Sequence, residues 1–297
     1  MEVVLLTFGM YYARVLADSI AHGVRLTTLE VCFPRFILAE FNTHRVFSRN
    51  SASSRAIPVA TRIAQVRNNP FVPEAFGVNK SGMQASTTHG GCVGTVTRWL
   101  WILAARICCV IAWCLMKLDI HKQHANRVIE LWAWHTVVVS ATEWENFLNL
   151  RTHKAAQPEI QIVAKLIRDA LAASTPRKLH DGDWHLPYAT NDDHDGRLIA
   201  DNILTSVVRS AAVSFERQNA PRSSEAVKKR HDDMMRLAHW SPFEHAACVA
   251  TDAELRKYAL YTYTGEPAFI GNFRAPWLQY RKTFENESVW QGGKEDV

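Results

Sequence analysis

The spacing of apolar positions changes several times along the chain, and each change predicts a different element. Residues 11–22 read as a short amphipathic segment. LTTLEVCF, 26–33, alternates in polarity and contains β-branched residues, which predicts a strand. Pro34 then stands in the favoured first-turn place of a helix, PRFILAEFNTHR. Residues 48–58 are serine-rich, end at Pro58 and read as an ordered loop. Asn, Pro and Gly recur through 68–94 and predict a long irregular excursion. From 95 to about 139 the spacing is helical. Thr142-Glu143-Trp144-Glu145 has the form of a capping box and predicts a helix running towards Arg151.

Pro158 opens a further helix, PEIQIVAKLIRDALAAS, and 180–196 reads as loop. Helices are predicted over 198–213 and 225–239, with a polar turn at 217–224 between them. Ser241-Pro242 marks a turn or a helix start, and HAACVAT reads as a strand. Helices dominate, and the few strands do not alternate with them. That pattern predicts an α+β fold, a helix-rich single domain over 1–297 with a small mixed or antiparallel sheet. No repeat of fixed period and no low-complexity linker divides it.

Composition narrows the class. Hydrophobic residues make up 47% and charged residues 21%, a globular balance that excludes a disordered or fibrous chain. The net charge of +5 suits an anionic small molecule and falls short of the clustered basic stripes of a dedicated nucleic-acid binder. The one tight basic run, Val227 to His231, sits in a helical pattern and reads as a solvated face. None of the six cysteines forms a CxxC pair, so reduced thiols in a cytoplasmic protein are expected. The apolar N-terminus lacks a basic region and a cleavage site, and is not read as a signal peptide. Trp99 to Leu118 is long enough to span a bilayer, but Arg106 interrupts its centre and no second span exists for it to pack on. It is therefore read as a buried helix of a soluble bundle, with no membrane partner.

Candidate chemistry is concentrated in FNTHRVFSRNSASSR, 41–55. Guanidinium groups clamp phosphate through paired hydrogen bonds, and hydroxyls with loop amides complete such a cradle. The candidates here are His44, Arg45, Ser48, Asn50, Ser51, Ser53 and Arg55; the alternative is a plain polar loop over a helix end. The chain has no GxGxxG, no GxxxxGK[ST] and no GxSxG, which leaves Rossmann, P-loop and esterase sites without support. In ATEWENFLNLRTHKAAQPEI, 141–160, Arg151 follows Phe147, Leu148 and Leu150, so a carboxylate or a ligand is expected to meet it; Asn146 lies on an adjacent face. Glu244 and His245 sit between apolar flanks, where a satisfied core histidine is the simpler reading. His121 and His124 have no third ligand at helical spacing, and no metal is expected there or in the Asp- and His-containing loop 180–196.

Together these stretches resemble the flavin-dependent thymidylate synthase (ThyX) family. That family's signature, R-H-R-x-x-S-x-N-E-x-S-x-R, aligns with Thr43 to Arg55 and differs at two defined positions: Thr43 stands for the first Arg, and Ser51 for the Glu. HANRVIE resembles the helix carrying a phosphate-binding arginine, here Arg127. NFLNLR followed by AAQPEI resembles the block that turns Asn146 towards flavin and Arg151 towards uracil, although Ala155 occupies that block's histidine position. RSAAVSF, 209–215, and HWSPFEH, 239–245, resemble blocks that place Ser214 and His245 near the flavin. In the family these last two precede the signature. Here they follow it, which implies a ThyX-like fold that is circularly permuted or a rearranged duplication.

The resemblance implies FAD as cofactor, NADPH and methylenetetrahydrofolate as co-substrates, and dUMP or a related pyrimidine nucleotide as substrate. It implies substrate contacts from Ser51, Ser53, Arg55, Arg127 and Arg151, with Arg151 as the catalytic group. Flavin contacts or loop ordering fall to His44, Arg45, Ser48, Asn50, Asn146, Ser214 and His245. It also implies a homotetramer with sites between subunits. Two alternatives use the same scaffold. One is a pyrimidine nucleotide hydroxymethylase, kept open by Ser51. The other is a non-catalytic nucleotide- or nucleic-acid-binding protein, supported by the aromatic and basic C-terminal part.

Overall fold

Two residues turn the first long hairpin. β1 (Leu5–Phe8), β2 (Tyr11–Ala21) and β3 (Val24–Pro34) form an antiparallel meander, and Ala21 faces Val24 across His22 and Gly23. Both of these have positive φ, 48° and 80°, the backbone twist of a tight hairpin turn. The structure is a computed structural model and describes residues 4–82, 84–85, 87–189, 199–213, 221, 223–259, 271–284 and 287. After β3 come a 3-10 turn at Arg35–Ile37, α1 (Leu38–Asn42), β4 (Ser48–Ser51), α2 (Val59–Asn68), α3 (Gly91–Lys117) and α4 (Lys122–Ala125). A 3-10 segment, Asn126–Trp132, leads into β5 (Trp134–Ala141), α5 (Glu145–Arg151), α6 (Pro158–Ala173), β6 (Arg177–Lys178) and β7 (Trp184–His185). The C-terminal part holds α7 (Ile199–Ala211), α8 (Ser224–Arg236), a 3-10 turn at Ser241–Glu244, β8 (Ala247–Val249), α9 (Asp252–Ala259), β9 (Trp277–Gln279) and a 3-10 turn at Tyr280–Thr283.

The main sheet runs β1-β2-β3-β5-β4, antiparallel throughout, with β6 added parallel to β2. α6 covers one face. Its Ile160, Val163, Ala164, Ile167, Ala170 and Leu171 recur at helical spacing and are all buried against Leu29, Val31, Phe33, Val137 and Val139. A second sheet, β7-β8-β9, packs with α7 and α8 around Val207, Val208, Met234 and Phe243. The α+β class with a small mixed sheet is as expected.

Several expected elements differ. The amphipathic segment 11–22 supplies strand β2 as far as Ala21, while the helix expected from Pro34 shrinks to a 3-10 turn and the short α1. Ser48–Ser51 is a strand within the expected loop, because its backbone pairs with β5. The helical reading of 95–139 fails at β5, where Thr136-Val137-Val138-Val139 is a β-branched run buried between two strands. The capping box does not form: Trp144 is the N-cap without a side-chain bond, and Thr142 Oγ1 accepts from the Arg274 amide instead. α2 begins beyond Pro58, and α3 starts at Gly91, inside the expected excursion. Strand β7 forms within the expected loop 180–196, of which 190–196 lies outside the described residues. The largest difference is α3. It is long and apolar, but only Ala105, Cys109 and Ala112 are fully buried, so it is not a core helix.

Candidate active site

The stretch 41–55 folds around one arginine. Arg49 Nη1 donates to the carbonyls of Phe41, Asn42 and His44 at 3.4, 3.1 and 3.0 Å, and so closes the end of α1 where carbonyls lack helical partners. The chain then enters β4, whose alternation sends Ser48 and Asn50 inward and leaves Ser51 exposed. Ser48 Oγ accepts from Gln279 Nε2 at 2.7 Å and from Asn272 Nδ2 at 3.2 Å. Asn50 Nδ2 donates to the Ser210 carbonyl at 2.6 Å, and Ser241 Oγ donates to Asn50 Oδ1 at 3.1 Å. Both expected cofactor residues are thus held by protein groups. Asn50 staples the signature strand to the RSAAVSF and SPFEH blocks, and Ser48 fastens it to the segment around β9.

Arg151, at the end of α5, meets the signature directly. Its Nε donates to His44 Nε2 at 3.0 Å and its Nη2 to Thr43 Oγ1 at 3.0 Å. Because Nε2 accepts, the His44 proton sits on Nδ1. Burial, with Arg151 and Arg49 nearby, pushes the His44 pKa down to about 4, so the ring is neutral at pH 7. His44 is wedged edge-on against Phe147 and stacked on Phe47. Thr43, where the family pattern has Arg, is therefore a hydrogen-bond acceptor for Arg151. Among the described residues no carboxylate meets Arg151; a histidine, a hydroxyl and the Glu40 carbonyl hold its guanidinium.

Beyond β4, Ser53 begins a tight turn. Its carbonyl accepts from the amides of Ala56 and Ile57, and its Oγ from the Arg55 amide at 3.2 Å. Buried Asn126 donates to the carbonyls of Ser54 and Ile57, each at 2.8 Å, and Lys122 Nζ reaches Ala56 O at 3.3 Å. The HANRVIE block is thereby fastened under the loop carrying Ser53 and Arg55. Arg127 itself pairs with Glu130 at 2.9 Å, and Glu130 also holds Arg35 at 3.0 Å. Arg45, Ser51 and Asn146 are exposed, as is Arg55, and their side chains have no hydrogen-bond or ion-pair partner among the described residues. Ser214 lies outside the described residues.

His245 is fully buried and anchors a chain of polar groups through the interior. Its Nδ1 lies 2.8 Å from Ser140 Oγ, Ser140 Oγ 2.6 Å from Thr28 Oγ1, and Thr28 Oγ1 2.8 Å from His185 Nε2. His185 Nδ1 continues to Ser19 Oγ at 2.9 Å. Burial pushes both imidazoles down to about 3, which keeps them neutral. The chain ties three strands of the main sheet to the second sheet. His245 Nε2 and Ser54 Oγ are buried without a partner among the described residues.

Sequence reasoning did not single out Arg49, Asn126 or Gln279. Asn126 adjoins a recognised arginine, but nothing in the pattern marks Arg49 or Gln279 as the groups that shape the loop.

Comparison with known proteins places this geometry in a family. The profile described as "Thymidylate synthase complementing protein" matches residues 24–177, just over half of the chain, including the signature, HANRVIE and NFLNLR. No curated protein matches the chain. Among solved structures, a UMP/dUMP methylase, PolB, from Streptomyces cacaoi bound with 5-Br dUMP is 21% identical, with a TM-score of 0.42, over 50% of this chain and 67% of that one. ThyX, a flavin-dependent thymidylate synthase from Helicobacter pylori complexed with FAD and dUMP, is 21% identical with a TM-score of 0.34, over 49% of this chain and 67% of that one. With the family's profile matched across the segment that builds the Arg151–His44 contact and the Ser53–Arg55 loop, the chain belongs to the thymidylate synthase complementing protein (ThyX) family.

Proposed function

We propose that the protein is a flavin-dependent thymidylate synthase, which transfers the one-carbon unit of methylenetetrahydrofolate to C5 of dUMP. The observation that carries this is the Arg151 guanidinium, fixed by neutral His44 and Thr43 where two family motifs meet. The donor set fits an anionic nucleotide and a flavin pyrophosphate. Arg45 and Arg55 are exposed and have no carboxylate partner among the described residues, and His245 Nε2 and Ser54 Oγ are buried and unpaired. When bound, FAD reduced by NADPH is the source of hydride.

The chain's own residues bind, orient and polarise. Ser53, Arg55 and Arg127 hold the dUMP phosphate, a dianion suited to guanidinium and hydroxyl donors. For Arg127 this means turning away from Glu130, which keeps its second partner Arg35. Ser51 contacts the nucleotide. Arg151 polarises the pyrimidine and stabilises negative charge developing on it. His44 keeps Arg151 aimed without adding a competing positive charge. Arg45 and Asn146 contact the flavin, as the family pattern also implies for Ser214, while Ser48 and Asn50 order the strand between them and His245 supports the site from the interior. We further propose a cytoplasmic homotetramer, with sites between subunits and the permuted blocks reunited by packing.

A second reading is favoured by Ser51, which replaces a carboxylate beside the nucleotide: hydroxymethylation, in which water captures the exocyclic methylene. Incubation with FAD, methylenetetrahydrofolate and dUMP, with and without NADPH, separates the two. Thymidylate formed only with NADPH is expected; hydroxymethylated product without a reductant overturns the synthase reading. A purified protein without flavin absorbance counts against both. Arg55→Ala and Arg127→Ala are each expected to weaken dUMP binding, and normal binding by both overturns the phosphate assignment.

A further inference from the structure

Glu159 is a carboxylate that the fold buries and leaves unmatched. It stands in the first turn of α6 and is 3% exposed, and it has no hydrogen-bond or ion-pair partner among the described residues. The positive end of a helix favours negative charge at this place. An ionised carboxylate nevertheless has about four acceptor positions to fill, and buried polar groups are seldom left unfilled. Glu159 lines a cavity of about 430 Å³, within the range of roughly 300–1,000 Å³ usual for small-molecule sites.

Three half-buried aromatic rings share that cavity. Trp101 is fixed by the bond from its Nε1 to the Phe71 carbonyl at 2.8 Å, and the rings of Phe36 and Phe76 are centred 6.2 and 6.1 Å from its own. Phe76 is held by its backbone. Its carbonyl accepts from the His89 amide at 2.8 Å, and the Val78 amide donates to the Thr87 carbonyl at 2.9 Å, which closes the excursion into a narrow loop. Gly77 permits that closure, since a Cβ there would overlap the Ala85 Cβ. Two further polar groups line the cavity. Lys154 is exposed and without a partner, and Gln157 is half-buried at the N-cap of α6 and makes no side-chain cap bond. Glu159 is the one acid among the described lining residues, and no group of three metal-ligating side chains forms among the described residues.

We propose that this cavity binds a planar 2-amino-4-oxo heterocycle bearing an anionic group, the ring edge of a guanine nucleotide, which pterins share. That edge presents two neighbouring N–H donors, and a carboxylate offers two oxygens to receive them. The Gln157 amide supplies a donor for the ring oxygen. Phe36, Phe76 and Trp101 supply apolar surface for the flat faces, where aromatic side chains hold bases by stacking. Lys154 meets the anionic group. Other occupants match fewer of these groups. Uracil turns carbonyls, and adenine a ring nitrogen, towards the carboxylate. A metal ion needs more ligands than one carboxylate. A plain organic cation is repelled by Lys154. The site goes beyond the proposed function and uses none of the residues assigned to dUMP or flavin.

Titration calorimetry on the full chain with FAD and saturating dUMP tests this, with GMP, IMP, guanosine and folic acid as probes. GMP is expected to bind at least tenfold more tightly than IMP, which lacks the 2-amino group, and than guanosine, which lacks the phosphate. Glu159→Gln is expected to bring GMP and IMP within about twofold of each other. Lys154→Ala is expected to weaken GMP towards guanosine and to keep its preference over IMP. A purely structural role for Glu159 would weaken both nucleotides alike. Should Glu159→Gln fail to fold, Phe76→Ala is expected to weaken GMP at least tenfold and leave dUMP affinity unchanged. Folic acid bound in place of GMP, and lost in Glu159→Gln, upholds the site and assigns it to a pterin. Equal affinity for GMP and IMP overturns the proposal, as does GMP binding unchanged by Glu159→Gln, or no binding of GMP and folic acid at millimolar concentration. Failure of dUMP to bind in the same titrations counts against the proposed function and leaves this site standing.

Discussion

Arg151 shows how one substitution in a motif can be absorbed by its neighbours. In this chain Thr43 stands where the family pattern has a charge, and its hydroxyl accepts a hydrogen bond from Arg151 while donating to the Glu40 carbonyl at 2.7 Å. The guanidinium therefore has a fixed direction before any ligand arrives, and preorganised donors lower barriers more than mobile ones. Thr43→Val keeps the shape and removes that bond. It is expected to lower turnover roughly tenfold, equivalent to about 1.4 kcal/mol, with little change in thermal stability. Arg151→Ala is expected to lower turnover by about 10²–10³. Steady-state kinetics on both variants checks the pair, and equal turnover by Thr43→Val and wild type refutes the aiming role.

Between elements, two buried amide side chains, Asn126 and Gln279, tie distant segments together. Asn126 is fully buried and holds the turn after β4 from beneath, through two backbone carbonyls. Its removal leaves those carbonyls unpaired, at about 1–3 kcal/mol each. Asn126→Ala is thus expected to lower the urea midpoint and, by loosening Ser53 and Arg55, to weaken dUMP binding; calorimetric titration with dUMP reads the second effect. Unchanged affinity would detach HANRVIE from the phosphate site. Gln279 plays the matching part on the other side. It donates to Ser48 and to the Glu244 carbonyl, while its Oε1 accepts from the Asn272 amide. Gly271 makes room for it: a Cβ there would lie 1.7 Å from Gln279 Oε1, and φ is +86°.

Across the whole molecule, neutral buried histidines couple stability to pH. His44 is pushed down to about 4, and His135, His185 and His245 to about 3, with burial the leading cause each time. In the unfolded chain each returns to about 6.5. Above pH 6.5 both states are neutral and the folded state keeps its full advantage. As pH falls from 6.5 towards 4, only the unfolded chain takes up these protons, and stability falls. The loss per histidine approaches about 1.4 kcal/mol per pH unit well below 6.5. Melting temperatures are expected to drop steadily between pH 6.5 and 4.5; a flat profile would mean that these imidazoles are charged or exposed in the folded protein.

Much of the site was legible in the sequence because its parts are local. The turn that joins Ser53 to Arg55, the NFLNLR helix end and the start of α6 at Pro158 each depend on residues within a few turns of one another. The strand at 26–33 was legible because its polar residues still alternate with apolar ones, although all of them are buried and Thr27 and Thr28 are satisfied by internal hydrogen bonds. β2, β4 and β5 were not, since pairing with distant strands overrides local pattern: β5 follows a long helix, and β4 is a strand only through its bonds to β5. The roles of Ser48, Asn50 and His245 also belonged to the tertiary structure, because their partners lie 105 to 231 positions away. The sequence by itself determined the family, the α+β class and the signature loop. Only packing decided that α3 turns an apolar stripe outward, since hydropathy measures what a helix can bury and not which side its own core has already covered.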